Sequence, residues 1–305
     1  MKNKIVILGA GAVGSTLGAA LEEKYSGSVT LIGRQSHVDK INSDGLSIEG
    51  NFSKNIKISA QTKIDFNLDN TLLIVSTKII VLSDAIKDII PFIKDTTTIL
   101  LIQNGYGVKD IAKEALNGVI PEKNIFQAIA SIGVVLREPG IIDFWGGGIK
   151  VEKPFTETEY AEVFTDTFID FKATRFIDKA IWYKLVINSV INPLSVIFRA
   201  KNKVVAEAQY NDLKEKILSE GIAVAKSEGF DVNMTIEMFN SYVDSDNYTS
   251  MLQDYFHKRK NEIDFINGVI IEFGEKNGID VSTNKTIFDI VKSIENINLE
   301  GKVKI

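Results

Sequence analysis

The sequence predicts an α/β protein: a doubly wound, mainly parallel sheet in the N-terminal half, followed by an all-α C-terminal domain. Three observations carry that prediction. Short apolar runs alternate with helical patterns through the first hundred residues, a glycine-rich turn follows the first run, and strand signals nearly vanish after about Asp178. Alternation of this kind marks a parallel sheet flanked by helices.

In chain order, "KIVIL" (4–8) reads as a strand, followed by a helix over about 12–25 and a second strand "SVTLIG" (28–33). Then come a strand "TLLIVST" (71–77), a helix over about 81–94 and a strand "TTTILLIQ" (96–103). The segments "NIFQAIASIGVVL" and "GIIDFWGGGIKVEK", separated by the turn signal "REPG" (137–140), read as later strands of the same sheet, some of them antiparallel. Beyond them, apolar residues at helical spacing give helices over 178–198, 203–228, 261–277 and 282–294. The change of character near 170–180 divides the chain into domains 1–175 and 176–305, which suits a length of 305 residues.

Composition removes several function classes. With 45% hydrophobic and 25% charged residues, the chain has the make-up of an ordinary soluble protein. A net charge of −5 gives nucleic acid and anionic membranes no attractive surface, so neither is expected as a partner. Cysteine is absent, which excludes disulfides, thiol nucleophiles and thiolate-ligated metals; His37 and His257 are the only histidines and lie far apart, so no metal site is expected. No apolar run approaches the ~18 residues of a membrane span. The lysines before the first apolar stretch are not read as a signal peptide, because glycines break the run. A cytoplasmic protein is expected. Apolar helix faces in the second half suit core packing and a homodimer contact equally.

Gly9, Gly11 and Gly14, with Ala10, Ala12 and Val13 between them, form G-x-G-x-x-G directly after a strand and at the start of a helix. The first glycine permits the tight turn, the second lets backbone approach a pyrophosphate, and the third lets helix and strand pack closely. The helix N-terminus favours the phosphate charge. The N-terminal domain is therefore expected to be a Rossmann-type dinucleotide-binding unit. Where an NAD-binding chain usually carries Asp or Glu after the second strand, this sequence has Gly33 and Arg34. A guanidinium pairs with a 2′-phosphate, so NADP(H) is the expected cofactor. Lys78 and Asn104 each follow a strand at the edge where ligands bind in such sheets.

In "WYKLVINSVINPL" (182–194), Lys184, Asn188 and Asn192 recur every four residues among Leu, Val and Ile. Residues four apart advance about 40° around a helix, so the three share one face. Buried polar groups need partners, so the stripe serves either a structural network or a cavity that receives a polar ligand. Asn192 precedes Pro193, and a kink or break is expected there.

The chain resembles the ketopantoate reductase (2-dehydropantoate 2-reductase) family through "GAGAVG", "STK" (76–78), "QNGYG" (103–107), "KLVINSVINPLS" (184–195) and "SMLQDYFHKRKNEIDFING" (250–268), in the family's order. The resemblance implies NADPH-dependent reduction of 2-dehydropantoate to (R)-pantoate, a step of pantothenate and coenzyme A biosynthesis. It also implies a C-terminal domain similar to that of 6-phosphogluconate dehydrogenase, with the active site in the cleft between the domains. Lys184 matches the family's proton donor. Asn188 and Asn192 match the asparagines that hold substrate and lysine, Asn202 a further substrate contact, and Ser250 the serine on the substrate carboxylate. Glu262 matches the glutamate that contacts substrate or cofactor; Lys78 and Asn104 match cofactor-contacting loop residues, and Asn104 is also expected to face the substrate. The chemistry agrees: hydride addition to a 2-keto acid creates an alkoxide, which needs a proton donor and a fixed positive charge. The turn "IIVLSDAI" after Lys78 is more aliphatic than the resemblance leads one to expect. The alternatives are a reductase or dehydrogenase of another 2-keto or 3-hydroxy acid, and a non-catalytic NADP-binding sensor.

Overall fold

The computed structural model describes residues 4–301, which divide into two compact units, the first ending at Ile177 and the second beginning at Asp178. The first unit runs β1 (Lys4–Leu8), α1 (Ala12–Lys24), β2 (Val29–Ile32), α2 (Gln35–Asp44), β3 (Leu46–Gly50), β4 (Lys54–Ile56), β5 (Ser59–Gln61), β6 (Thr71–Val75), α3 (Leu82–Ile89), β7 (Thr98–Leu101), α4 (Val108–Leu116), β8 (Ile125–Glu138), β9 (Ile141–Glu152) and β10 (Asp170–Thr174). Its strands form one sheet in the order β4-β3-β9-β8-β7-β6-β1-β2-β5, with β10 on β9.

β1, β2, β5, β6, β7 and the start of β8 are mutually parallel. Strands of such a sheet are covered on both faces, which is why β1, β6 and β7 are near-continuous apolar runs with almost no exposed surface. β8 then leaves the parallel sheet: Ala128 onward pairs antiparallel with β9, with irregularities after Gly133 and Leu136 that bend the ribbon. The chain proceeds from β1 to β2 on one side and returns to β6 on the other, so the strand order reverses at β1. Ligands bind such sheets at that reversal, beyond the carboxyl ends of the strands.

The second unit is helical: α5 (Ile177–Phe198), α6 (Asn202–Ala206), α7 (Asn211–Ser227), α8 (Ile236–Val243), α9 (Ser250–Phe256), α10 (Asn267–Lys276) and α11 (Ser282–Leu299). α5 carries its core. Trp182 is fully buried, stacked on Phe230 at 5.9 Å and edge-on to Phe273 at 5.6 Å. Two residues on, Lys184 lies about 200° around the helix from it. The aromatic anchor thus faces away from the lysine.

Several sequence expectations need correction. α5 is long and apolar enough to cross a membrane by length and composition, with a mean hydropathy of 1.4, but 72% of that stretch is buried inside the protein, as a core helix would be. Pro193 does not interrupt it; helix continues to Phe198. The helix expected over 203–228 breaks at Glu207, which is extended (φ −59°, ψ 138°) and gives its carbonyl to Lys214 Nζ at 3.0 Å. The helix expected from 261 starts at Asn267, after a single 3-10 turn at Ile263–Phe265. The helix expected over 81–94 ends at Ile89 before Pro91.

Candidate active site

The first constellation surrounds the carboxyl ends of β1, β6 and β7. Gly9 has φ +107°, a conformation L side chains rarely adopt, and a Cβ there would meet the Thr77 backbone nitrogen at 2.6 Å. Gly14 is buried, and a Cβ on it would collide with the Gly9 carbonyl and the Ser76 hydroxyl. Gly11 differs: its φ is −88°, it is exposed, and a Cβ would meet nothing within 4 Å. Gly9 and Gly14 are thus required by the fold, while Gly11 opens onto space in front of the N-terminus of α1. Ala10 is buried, Ala12 and Val13 half-buried. Ser76 Oγ donates to the Gly9 carbonyl at 2.9 Å, tying the two loops of the strand-order reversal together.

Arg34 follows β2 and is exposed at the start of α2. Gly33 before it packs against Ala10 so closely that a Cβ would stand 2.8 Å from the Ala10 Cβ. Lys78 and Asn104 lie half-buried just past β6 and β7. Next to them in the chain are two side chains, Thr77 and Gln103, that the sequence reading did not single out. Gln103 is buried and donates to the Val75 carbonyl at 2.8 Å, while its Oε1, like the Thr77 hydroxyl, is buried without a partner within the protein. Each immediately precedes a residue singled out from sequence, and position at a strand end was the available signal. Open space at Gly11, unpaired polar atoms at Thr77 and Gln103 and an exposed arginine after β2 together suit an anionic dinucleotide with polar edges.

The second constellation lies in the helical unit. Lys184 and Asn188 are half-buried and Asn192 buried, in successive turns of α5. Burial lowers the Lys184 ammonium from its ordinary 10.5 to about 8, and the Glu262 carboxylate opposes that shift. Glu262 is only 7% exposed. It lies close enough to act electrostatically on Lys184, which shares α5 with Asn188 and Asn192. Ser250 opens α9 and is exposed, while its neighbour Thr249 is the N-cap, accepting from Leu252 N at 3.1 Å. Thr249 Oγ1 also lies 2.5 Å from Ser195 Oγ, which donates to the Asn192 carbonyl at 2.7 Å. Asn202 opens α6, with Nδ2 on Ser245 Oγ at 3.2 Å and Oδ1 buried without a partner. Among the described residues no three His, Asp or Glu side chains cluster as a metal site.

A sheet of this topology with this loop set, joined in sequence to a helical unit bearing a lysine of lowered pKa, defines a nicotinamide-dinucleotide-dependent oxidoreductase. Residues 5–152 match the family "Ketopantoate reductase PanE/ApbA" and residues 177–295 match its C-terminal region; the chain belongs to the ketopantoate reductase family. Its relatives include the 2-dehydropantoate 2-reductases of Pyrococcus horikoshii, 34% identical over 96% of this chain and 98% of that one, and Pyrococcus abyssi, 32% identical over 98% and 99%. Among solved structures, D-mandelate dehydrogenase with NADH and anilino(oxo)acetate superposes with a TM-score of 0.84 at 25% identity, covering 97% of this chain and 99% of that one.

Proposed function

We propose that the protein reduces 2-dehydropantoate to (R)-pantoate with NADPH, residues 1–175 carrying the cofactor and 176–305 the substrate chemistry. On this reading the product feeds pantothenate and coenzyme A synthesis. The observation that carries it is Lys184, lowered to about 8 by burial with Glu262 opposing the shift, in one stripe with Asn188 and Asn192. A general acid works best when its pKa lies near the working pH, and an ammonium near 8 is still mostly protonated at neutrality.

The loop Gly9–Gly14, Lys78, Asn104 and Glu262 would hold the dinucleotide, with Arg34 on the 2′-phosphate. When bound there, a reduced nicotinamide would supply the hydride that the carbonyl carbon needs. Lys184 supplies the proton to the carbonyl oxygen and, while still charged, stabilises the negative charge growing there. Asn188 and Asn192 orient the ammonium and the substrate through carboxamides that both donate and accept. Ser250 and Asn202 would bind the substrate's carboxylate and hydroxyl ends, and Asn104 is assigned to substrate as well as to cofactor. The fit for NADP(H) rests on Arg34 and on Gly33, where the Ala10 Cβ at 2.8 Å leaves no room for the acidic side chain that reads an unphosphorylated ribose.

A second reading is favoured by the likeness to D-mandelate dehydrogenase: reduction of a bulkier 2-keto acid with NADH by the same lysine. Steady-state reduction of 2-dehydropantoate and of the keto acid of mandelate, each with NADPH and NADH, separates the two. Highest kcat/KM for 2-dehydropantoate with NADPH supports the first reading; highest kcat/KM for the aromatic keto acid with NADH replaces it by the second.

A further inference from the structure

Glu295 has no part in the chemistry above, yet it is a carboxylate only 7% exposed. It lies on α11. Its Oε1 accepts the backbone N–H of Asn261 at 2.6 Å, and its Oε2 pairs with Lys292 at 3.3 Å. Asn261 is the residue before Glu262, and its own Oδ1 accepts the N–H of Ile263 at 2.9 Å. The backbone is therefore pinned on both sides of Glu262. Three residues further along α11, Asn298 Nδ2 donates to the Tyr255 carbonyl at 2.7 Å. Two side chains of one helix thus hold the segment that leads from α9 to Glu262.

We propose that Glu295 is a positioning residue, whose hydrogen bond to the Asn261 amide holds the Glu262 carboxylate where it acts on Lys184. The Glu295 side-chain oxygen is the acceptor that satisfies the buried Asn261 amide. Without an acceptor the buried Asn261 amide would have to seek another partner, which moves the adjacent residue. The pull of Glu262 on Lys184 falls with separation, so displacement of Glu262 lets the lysine pKa drop further. Only the kinetic consequence rests on the reading of Lys184 as proton donor; the geometric claim stands apart from it.

The test compares Glu295→Asp, which keeps the charge but withdraws the oxygen by one methylene, with Glu295→Gln, which keeps the reach and loses the charge. The primary readout is the titration of Lys184 followed by NMR of its side-chain amine, assigned by its absence in Lys184→Arg. Glu262→Gln calibrates the direction of the shift. Positioning predicts that Glu295→Asp lowers the Lys184 titration in the same direction as Glu262→Gln and that Glu295→Gln leaves it near native. It further predicts that kcat/KM falls about 10–100-fold in Glu295→Asp and is largely retained in Glu295→Gln. If Glu295→Asp fails to fold, Glu295→Leu, which fills the same volume without an acceptor, takes its place with the same expected shift. A native Lys184 titration in the folded Asp or Leu variant overturns the proposal, as does a Glu295→Gln shift equal to that of Glu295→Asp. If the native protein reduces no keto acid while the titrations follow the predicted order, the positioning holds and the functional reading falls.

Discussion

The side-chain amide of Asn267 donates to the Ser189 carbonyl at 2.9 Å. That carbonyl is the one Pro193 leaves without its helical donor, since proline has no N–H to return to the residue four before it. A fully buried asparagine on α10 thus completes α5 where a break was expected, and the lysine–asparagine stripe remains on one continuous helix. The network continues from Asn267 to Asn284 at 3.0 Å, and from Asn284 to Glu220 at 2.7 Å and the Ile217 carbonyl at 3.1 Å.

Removing that donor should be expensive. Asn267→Ala is expected to destabilise the protein by about 1–3 kcal/mol, the cost of an unsatisfied buried carbonyl. In a Pro193→Ala background the regained backbone N–H can serve Ser189, and the same substitution should cost less. Urea denaturation of the two single variants and the double variant measures the coupling; strict additivity would show that Asn267 does not compensate for the proline.

The glycines of the first loop should separate fold from binding. Gly9→Ala forces a Cβ to 2.6 Å from the Thr77 backbone at a positive φ and is expected to lower thermal stability along with cofactor affinity. Gly11→Ala meets nothing in the protein and has an ordinary φ, so its melting temperature should stay native while NADPH affinity drops. Equal melting losses in both variants would contradict this division.

Cofactor choice should follow Arg34. Arg34→Ala is expected to reduce kcat/KM with NADPH by about 10–100-fold, the worth of a charge-assisted phosphate contact, and to leave NADH turnover nearly unchanged. Gly33→Asp should not convert the protein to NADH, because its Cβ collides with Ala10. Coenzyme kinetics of the two variants check both statements.

Stability should respond to His37. Its Nδ1 accepts the Gly140 N–H at 2.9 Å and its Nε2 lies 3.0 Å from Ser15 Oγ, so the ring is held as the neutral tautomer with its proton on Nε2. Burial lowers its pKa below the ordinary 6.5. Above 6.5 both folded and unfolded states are neutral; below it the unfolded state takes up a proton first, so stability falls as pH drops from 6.5 toward the folded value. The slope is at most about 1.4 kcal/mol per pH unit for one proton. Denaturation between about pH 7 and pH 5 should show this slope in the native protein and a shallower one in His37→Gln.

What the sequence made legible was local. Gly9 and Gly14 could be read because a tight strand-to-helix turn imposes their requirements within six residues, and the Lys184 stripe because helical spacing alone aligns it. Glu295 and Asn267 could not be read, because their partners lie 34 and 78 residues away and nothing in the local pattern marks a buried carboxylate or carboxamide. The strands "LSIEG", "KNI" and "SAQ" were missed because they are only three to five residues long and part-polar; "LSIEG" and "SAQ" join the sheet through strands distant in sequence, and "KNI" pairs only with "LSIEG" at the sheet edge. Glu262 was legible only through the family resemblance; its burial was not, and the backbone amides on either side of it are held by Glu295 and Asn261.

The measurement that tests the central claim most directly is NADPH consumption with 2-dehydropantoate by the native protein and by Lys184→Ala, with NADPH binding followed by fluorescence in both. The account predicts turnover by the native protein that declines as pH rises through about 8, where Lys184 loses its proton. It predicts a loss of about 100-fold or more in the variant, with NADPH affinity retained. Undiminished turnover by Lys184→Ala would contradict it, as would a native protein that binds NADPH and reduces no 2-dehydropantoate.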